Sequence, residues 1–552
     1  MKDGEVRKAP AGYEDSSVNS ESKVGLGPAI SAHEGQIEEE HGNYERSFTP
    51  RQIHVISLGS NIGSGLFIGT GKALANGGPG GLMLAYLIVC IGVWSNLQAL
   101  TEMTIAYPTS GNYIDYAGRW VDPALAFGAG LAEWLGWTAV FASEAAFFVL
   151  LVDYWAQGSV PTAAWLSIFL VICLVIFLVP NTYYAWVQYF TSLVKVFLFV
   201  FIVIVSLVVI GGAGPTGSVK DGSTWRDLPV FNNSFGGFAS AALTAIWAIG
   251  DQIYIGVMGG EAKAPRYSMV NAANVIPWRV GCFYCISAAL VTVIVPSDDD
   301  RLLGGSGAAA SPFVIAIADS GIKAVPDIIN ACMIFGILAI ALESIYLPSR
   351  ILREMALQRL VPSFIARVDE RGRPRWALSI TATVGTVLTY MSLSGKGYEV
   401  LNWFISITSA SFFTNWAIVA FTSLRFHAAL KAQGTPIFSE LYGWQSFMWP
   451  LAPVMTLTIS TLLLVCLLYG GVVPLGGGEF SAYNFFSFTL GFYIIFGGML
   501  AYKLIKRTKW QDPATADMVR GRAVLSQEEI QLLDKHYSRP LWRRIGTYVK
   551  PW

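Results

Sequence analysis

The chain has 552 residues, of which 53% are hydrophobic and only 13% charged, and its mean hydropathy is +0.50. A soluble protein carries roughly a quarter charged residues, so the composition argues against a large soluble enzyme and for a membrane protein. Lys and Arg number 37 against 37 Asp and Glu, with no basic block, which argues against a nucleic-acid partner.

Residues 1–46 are rich in Glu, Ser, Gly and Lys, lack apolar periodicity and read as a disordered tail. No apolar core of a cleavable signal peptide occurs in residues 1–50. From Gln52 onward come apolar runs of about the 20 residues that span a bilayer. Twelve lie near 53–73, 82–105, 123–152, 163–180, 187–211, 236–259, 275–295, 327–347, 377–393, 400–423, 447–469 and 482–504. The prediction is an all-α polytopic membrane protein with its spans in 47–510 and a polar C-terminal tail over 511–552.

An even number of spans puts both termini on one side. Seventeen Lys and Arg share the side of the N-terminus, seven of them arginines between 350 and 375, and six lie opposite. The positive-inside rule therefore places both termini in the cytoplasm. Of the outer connections, 212–235 and 296–326 are the long ones. The second holds the acidic run Ser297-Asp-Asp-Asp300 and the apolar stretch Pro312–Ala318, too short to span and expected as a helix at the outer surface. The inner connection 349–376 predicts an amphipathic turn or two through Ile351, Leu352, Met355 and Leu360. All six cysteines (90, 173, 282, 285, 332 and 466) fall in apolar runs. Cys282-Phe-Tyr-Cys285 has the spacing of a redox or metal pair, but no second pair or histidine lies nearby, so packing is favoured and neither metal nor cofactor is expected.

The first span contains Ser57-Leu-Gly-Ser-Asn-Ile-Gly-Ser-Gly-Leu-Phe-Ile-Gly69, with glycines at 59, 63, 65 and 69. Glycine costs about 1 kcal/mol against alanine in a helix interior, so this span is expected to unwind. Irregular backbone at membrane depth is tolerated only where it is buried or lines a cavity, which is how secondary transporters build their sites. The sixth span is interrupted too, at Trp247-Ala-Ile-Gly-Asp-Gln252 and at Gly256 and Gly259-Gly260. First and sixth spans are equivalent if the fold is two five-helix repeats of opposite orientation plus two C-terminal helices. The competing reading is that these glycines only allow close helix packing, and Gly59-x3-Gly63 fits that spacing. The coincidence of Asn61, Asp251 and Gln252 with the glycines favours a site, since polar groups facing lipid are expensive.

The sequence resembles the fungal-type amino-acid permeases of the amino acid–polyamine–organocation superfamily. The resemblance rests on Asn61-Ile-Gly-Ser-Gly-Leu-Phe-Ile-Gly69, Glu102-Met103, Tyr107-Pro-Thr-Ser-Gly-Asn-Tyr113 and Tyr116-Ala-Gly-Arg-Trp-Val-Asp-Pro123. It continues in Gly260-Glu-Ala-Lys-Ala-Pro-Arg266 and Ser311-Pro-Phe-Val-Ile-Ala-Ile317, and covers roughly 47–510. It implies a twelve-helix inverted-repeat fold with broken helices one and six. It also implies amino-acid uptake at the plasma membrane, coupled to protons, with membrane lipid as the surroundings.

The carboxylate of an amino acid suits the free N–H groups of the half-helix after the first break, at Ser60, Asn61, Ile62, Gly63, Ser64 and Gly65. Its ammonium needs acceptors, which carbonyls around Trp247, Ala248, Ile249 and Gly250 could supply; Trp247 is a candidate lid or an ordinary core aromatic. Lys195 lies well inside the fifth span, and intramembrane charges are functional by default. In sodium-independent members of the superfamily a lysine at the matching place is proposed to carry the coupling proton, so the resemblance makes Lys195 a coupling candidate. A structural ion pair or a snorkelling side chain is the alternative. Glu144 matches a glutamate of the fungal family and is a candidate for selectivity or proton exchange, against a structural hydrogen bond; Glu133 and Glu343 have no such match. The sixth span departs from the family, which places a glutamate where this chain has Ile253, while Asp251 brings a carboxylate two residues earlier. In the eighth span Leu342-Glu-Ser-Ile-Tyr346 replaces the family's polar pattern. The reading is a proton-coupled amino-acid permease working by alternating access; the alternative is a non-transporting amino-acid sensor on the same fold. No enzyme is expected, because no nucleophile–base or metal-ligand spacing stands out.

Overall fold

The computed structural model describes residue 59 and residues 62–109, 111–178, 181–250, 265–304, 311–322, 324–370, 372–394, 397–476, 478–523 and 525–540, and every regular element among them is helical. A single π-helical turn, Gly65–Gly69, leads into α1 (Thr70–Ala106), α2 (Asn112–Trp120), α3 (Pro123–Ala156) and α4 (Thr162–Val175). Next come α5 (Asn181–Ile210), α6 (Ser234–Ile249), α7 (Pro265–Ile294), the short α8 (Pro312–Asp319) and α9 (Ala324–Leu357). The chain then forms α10 (Arg375–Met391), α11 (Gly397–Gln433), α12 (Leu451–Val472), α13 (Ala482–Lys506) and α14 (Gln527–Tyr537). Among the described residues nine helical stretches are long and apolar enough to cross a membrane, and α4 and α6 are shorter apolar helices.

The first of the nine contains the end of the first expected span and the whole of the second. They meet at Gly78, whose φ of 72° and ψ of 174° lie in a region open to glycine and closed to residues with a Cβ. Pro79 then begins the returning rod, where its missing N–H costs nothing. The turn is clasped to the chain entering α6. Gly80 N–H donates to Val230 O at 2.8 Å, Asn232 N–H to Gly77 O at 3.1 Å, and the Asn232 and Asn233 amides to the carbonyls of Ala75 and Asn76.

From that clasp the first span and α6 run together along small residues. Gly65, Gly69, Ala73 and Gly77 recur every four residues and so share one helix face. A Cβ at Gly65 would sit 2.5 Å from Cβ of Ala248, and one at Gly77 would sit 3.2 Å from Cβ of Ala241. A Cβ at Gly237 would come 2.3 Å from the carbonyl of Asn76. The close-packing reading of such glycines therefore holds at this contact, alongside an interruption of the regular coil described below. At 16 residues α6 rises about 24 Å, less than the roughly 30 Å hydrocarbon core of a bilayer.

Most of α3 and α11 is buried, which makes them the central posts, whereas α10 and α13 are mainly exposed. The exposed side chains of α5 include Trp186, Phe190, Phe197, Val200 and Ile204, and those of α13 include Phe486, Leu490 and Ile494, an apolar surface suited to lipid. Asp122 caps α3, accepting from Ala124 N–H at 2.8 Å, and also binds Lys503 of α13 and Thr508 just beyond it.

The stretch expected as a surface helix is helical as α8, but it is not at the surface: Phe313, Val314, Ile315 and Ile317 are buried between α5, α7 and α9. The reason lies in its composition. It is apolar on every side, so it has no polar face to offer lipid headgroups and gains by burying all of it. Arg301 ties its last residue to the preceding loop, donating to Asp319 Oδ1 and Oδ2 at 2.8 and 2.7 Å and to Asp299 Oδ2 at 2.6 Å.

The described part of 511–540 lies against one face of the helical bundle. Gln511 N–H donates to Val121 O and Ala523 N–H to Ala106 O, while the Tyr107 hydroxyl and the Trp120 ring donate to the carbonyls of Met518 and Asp517. Further along, Glu529 Oε1 accepts from Arg266 N–H at 3.0 Å, and the His536 and Tyr267 rings meet edge to face at 5.0 Å.

Two outcomes test this packing. Gly65→Ala should lower the thermal unfolding midpoint of the purified protein in detergent, overpacking costing about 1–3 kcal/mol; Ala248→Gly in the same chain should restore part of the loss. Equal losses with either residue at 248 would place the cause elsewhere. The second outcome concerns pH. Hydrogen bonding to Arg301 holds the Asp299 carboxyl below its usual range. A lowered native pKa stabilises the fold above the unfolded carboxylate's value of about 4 and stops doing so as pH falls through the native value. Arg301→Gln should therefore lower the midpoint at pH 7, by an amount that shrinks steadily as the pH is taken below about 4.

Candidate functional site

The regular coil of the first span is interrupted at Ile62 and Gly63 and resumes through the π-turn. Leu66 and Phe67 both donate to the carbonyl of Gly63, at 3.0 and 3.1 Å, and Ile62 N–H donates to Gly59 O at 3.1 Å. The π-turn that follows, Gly65–Gly69, belongs to a rare class that recurs at functional sites. Opposite it α6 ends, with Gly250 as its cap. Between them lies a cavity of about 60 Å³. At ~10–15 Å³ per water it has room for about four or five, so an amino acid requires its walls to move.

Gly63, Ser64 and Gly65 form one wall, and Trp247, Ala248 and Ile249 the facing one. Glu144 and Trp137 of α3, Tyr284 of α7, Glu343 of α9 and Phe412 of α11 close the remainder. Ser64 Oγ donates to Glu144 Oε1, while Glu144 Oε2, Glu343 Oε1 and the Trp247 ring N–H are buried with no hydrogen-bond partner among the described residues. Buried polar atoms are nearly always satisfied, so three orphans on one cavity make it the candidate place for a polar ligand or water. The end of α6 supplies the negative pole of a helix dipole. Two of the carbonyls considered for an ammonium already accept hydrogen bonds: Ala248 O from the Tyr284 hydroxyl at 3.0 Å and Gly250 O from the Trp416 ring at 2.9 Å. A carbonyl has two lone pairs, so each can take a further donor.

Lys195 lies behind this cavity. It is fully buried, which removes the snorkelling alternative, and its stem packs on Gly336 of α9. Counted from the start of α5 it is fourteen residues in, about 21 Å along the axis and near its middle. Its ammonium makes no hydrogen bond to any described residue, yet it interacts electrostatically with both Glu343 and Glu144.

Gly63, Ser64, Gly65, Trp247, Ala248, Ile249 and Glu144 thus line one cavity, as does Glu343, set aside in the sequence for want of a family match although an intramembrane carboxylate was signal enough. Ile62 is buried beside the lining, and Gly250 faces Trp416. Ser60, Asn61 and Asp251 lie outside the described residues. Trp137, Tyr284 and Phe412 had no sequence signal, since an aromatic in an apolar run reads as core. Glu133 takes a supporting position, accepting from the Trp137 ring at 3.3 Å and the Asn415 amide at 2.6 Å. Among the described residues no three metal-ligating side chains gather.

The sequence profile described as amino acid permease matches residues 52–513. The chain is 32% identical to the amino-acid permease GAP5 of Candida albicans over 86% of its own length and 76% of that protein. It is 29% identical to the amino-acid permease GAP3 of the same organism, over 92% of this chain and 86% of the relative. A solved structure of Mhp1, a nucleobase-cation-symport-1 family transporter in a closed conformation with bromovinylhydantoin bound, is similar at 14% identity and a TM-score of 0.42, covering 80% of this chain and 96% of that one. With a profile match over most of its length, the chain belongs to the amino acid permease family.

Proposed function

We propose that this protein imports amino acids across the plasma membrane by proton symport with alternating access, both termini being cytoplasmic. The observation that carries this reading is the cavity between the interrupted first span and the end of α6, with polar atoms that no described residue satisfies. We further propose twelve crossings, as two five-helix repeats of opposite sense followed by α12 and α13. In support, Gly78 divides the first long stretch into two rods, and α4 and α6 add to the eight other long helices.

In this reading the substrate carboxylate sits against the backbone at Gly63, Ser64 and Gly65, where the absence of a Cβ lets a ligand approach the amides. Its ammonium lies toward Glu144, Glu343 and the carbonyl end of α6. Lys195 holds the coupling proton: its charge is balanced by the two carboxylates when it is protonated, and losing the proton leaves them free to repel each other and the site to rearrange. A group that shares charge with the site from behind the wall couples proton and substrate without touching the substrate. Asp251, two residues past the end of α6, is a further candidate for the ammonium.

The direct test is uptake of the twenty standard labelled amino acids by permease-deficient cells expressing the protein, with and without a protonophore. Accumulation of at least one, lost on uncoupling, is expected; accumulation that survives uncoupling overturns proton coupling. For Lys195→Met, exchange of internal for external substrate should persist while the accumulation ratio falls at least about tenfold, about 1.4 kcal/mol of lost driving force. Glu144→Gln should raise KM by a similar factor. Full accumulation by the Lys195 variant would remove that residue from the coupling path.

A further inference from the structure

A second hollow, of about 30 Å³, lies between the first span, α6 and α11 on the face opposite the C-terminal segment. Its polar walls are Lys72 and Asn76, Ser240 and Thr244 of α6, and Asn402 and Ser406 of α11. One cation and several hydrogen-bond donors line it, and no carboxylate does. The Lys72 ammonium donates to the Asn402 side-chain oxygen, and the Asn76 amide donates to Ser240 Oγ at 2.9 Å. An amide whose oxygen is turned to a lysine still has two N–H groups to give, so cation and donors converge on the same space.

The two hollows are one helical turn apart along α6, since Thr244 lines one and Trp247 the other. What separates them is thin. A Cβ at Gly69 would lie 3.1 Å from the Trp247 ring and 3.4 Å from the Thr244 methyl, so between the two hollows the indole rests against a bare glycine of the first span. That indole leans on Phe147 at 5.6 Å between ring centroids, and its N–H is bonded to no described residue. Nothing polar pins it in place.

We infer that the Lys72 pocket is a vestibular loading site, which takes the carboxylate of an arriving amino acid before the Trp247 ring swings aside and admits it to the central cavity. The inference rests on the transport reading and its orientation. The anion is drawn to the lysine, and the donors of Asn76, Asn402 and the α6 hydroxyls fix it. The ammonium then points to the indole, whose π face attracts a cation. Transfer inward moves the carboxylate about one turn along the glycine face, to the amides at Gly63–Gly65.

The test uses whichever standard amino acid the unaltered protein takes up fastest, with its decarboxylated amine as competitor. Lys72→Met should raise KM for the amino acid about tenfold, as expected for losing a charged hydrogen bond, with the loss falling on KM rather than kcat. Inhibition by the amine, which has no carboxylate, should be unaltered, and Lys72→Arg should keep most of the affinity. Asn402→Asp supplies a competing carboxylate beside Lys72 and should raise KM in the same way, which keeps the test open if Lys72→Met fails to reach the surface. An unchanged KM in both variants overturns the inference, as does an equal loss for amino acid and amine, or an arginine variant as damaged as the methionine one. A purely structural lysine would lower surface abundance and leave KM alone. If the unaltered protein takes up no amino acid, the transport reading itself fails, and this site with it.

Discussion

The contact on which the rest depends is the one between two helices that have almost no side chains where they touch. Gly65 and Gly77 on one, and Gly237, Ala241 and Ala248 on the other, bring two backbones so close that a methyl added at Gly65 or Gly237 would clash. Nothing apolar is gained by helix association in lipid, so packing and hydrogen bonds must hold such a pair, and this one has both. The clasp around Gly78 fixes the far ends, and the glycine face fixes the register below it. Register decides the site. It sets the π-turn of the first span against the end of α6 and leaves between them a hollow lined by backbone.

Around that hollow the fold carries polar groups that lipid would reject. Glu144, Glu343 and Lys195 are buried and come from three different helices, so no one of them can escape to a membrane surface. Each has some compensation: Ser64 for Glu144, and the lysine's charge for both carboxylates. None is fully satisfied within the described residues. A site that satisfied itself would have no need of a ligand. Glu133 shows the contrast, for its oxygens are taken by Trp137 and Asn415 and it acts as an internal brace.

Much of this is legible in the amino-acid sequence. Four glycines with an asparagine in one apolar run cannot make an ordinary span, and the interruption falls at Ile62 and Gly63, inside that run. Lys195 stands out because charge is rare at membrane depth, and Glu144 because it matches a glutamate of the fungal family. Other features left no trace that one sequence can show. Lys72 is one of the six charges on the outer side and gives no further sign, because its pocket is assembled from α6 and α11, far away in the chain. Trp137, Tyr284 and Phe412 look like any core aromatic until three helices converge on them. The burial of α8 was missed because a short apolar stretch in a loop gives its length and not its neighbours.

The segment after α13 has a mechanical consequence. Residues 511–523 reach α1, α2 and α11, and α14 reaches the start of α7, so one stretch of polypeptide laces together the ends of helices from both parts of the molecule. A gap on that face can widen only by stretching or unfastening the lace, one weak polar bond at a time. The stiffness of that lace, set by residues nowhere near the cavity, then governs how readily the face parts and how soon it closes again.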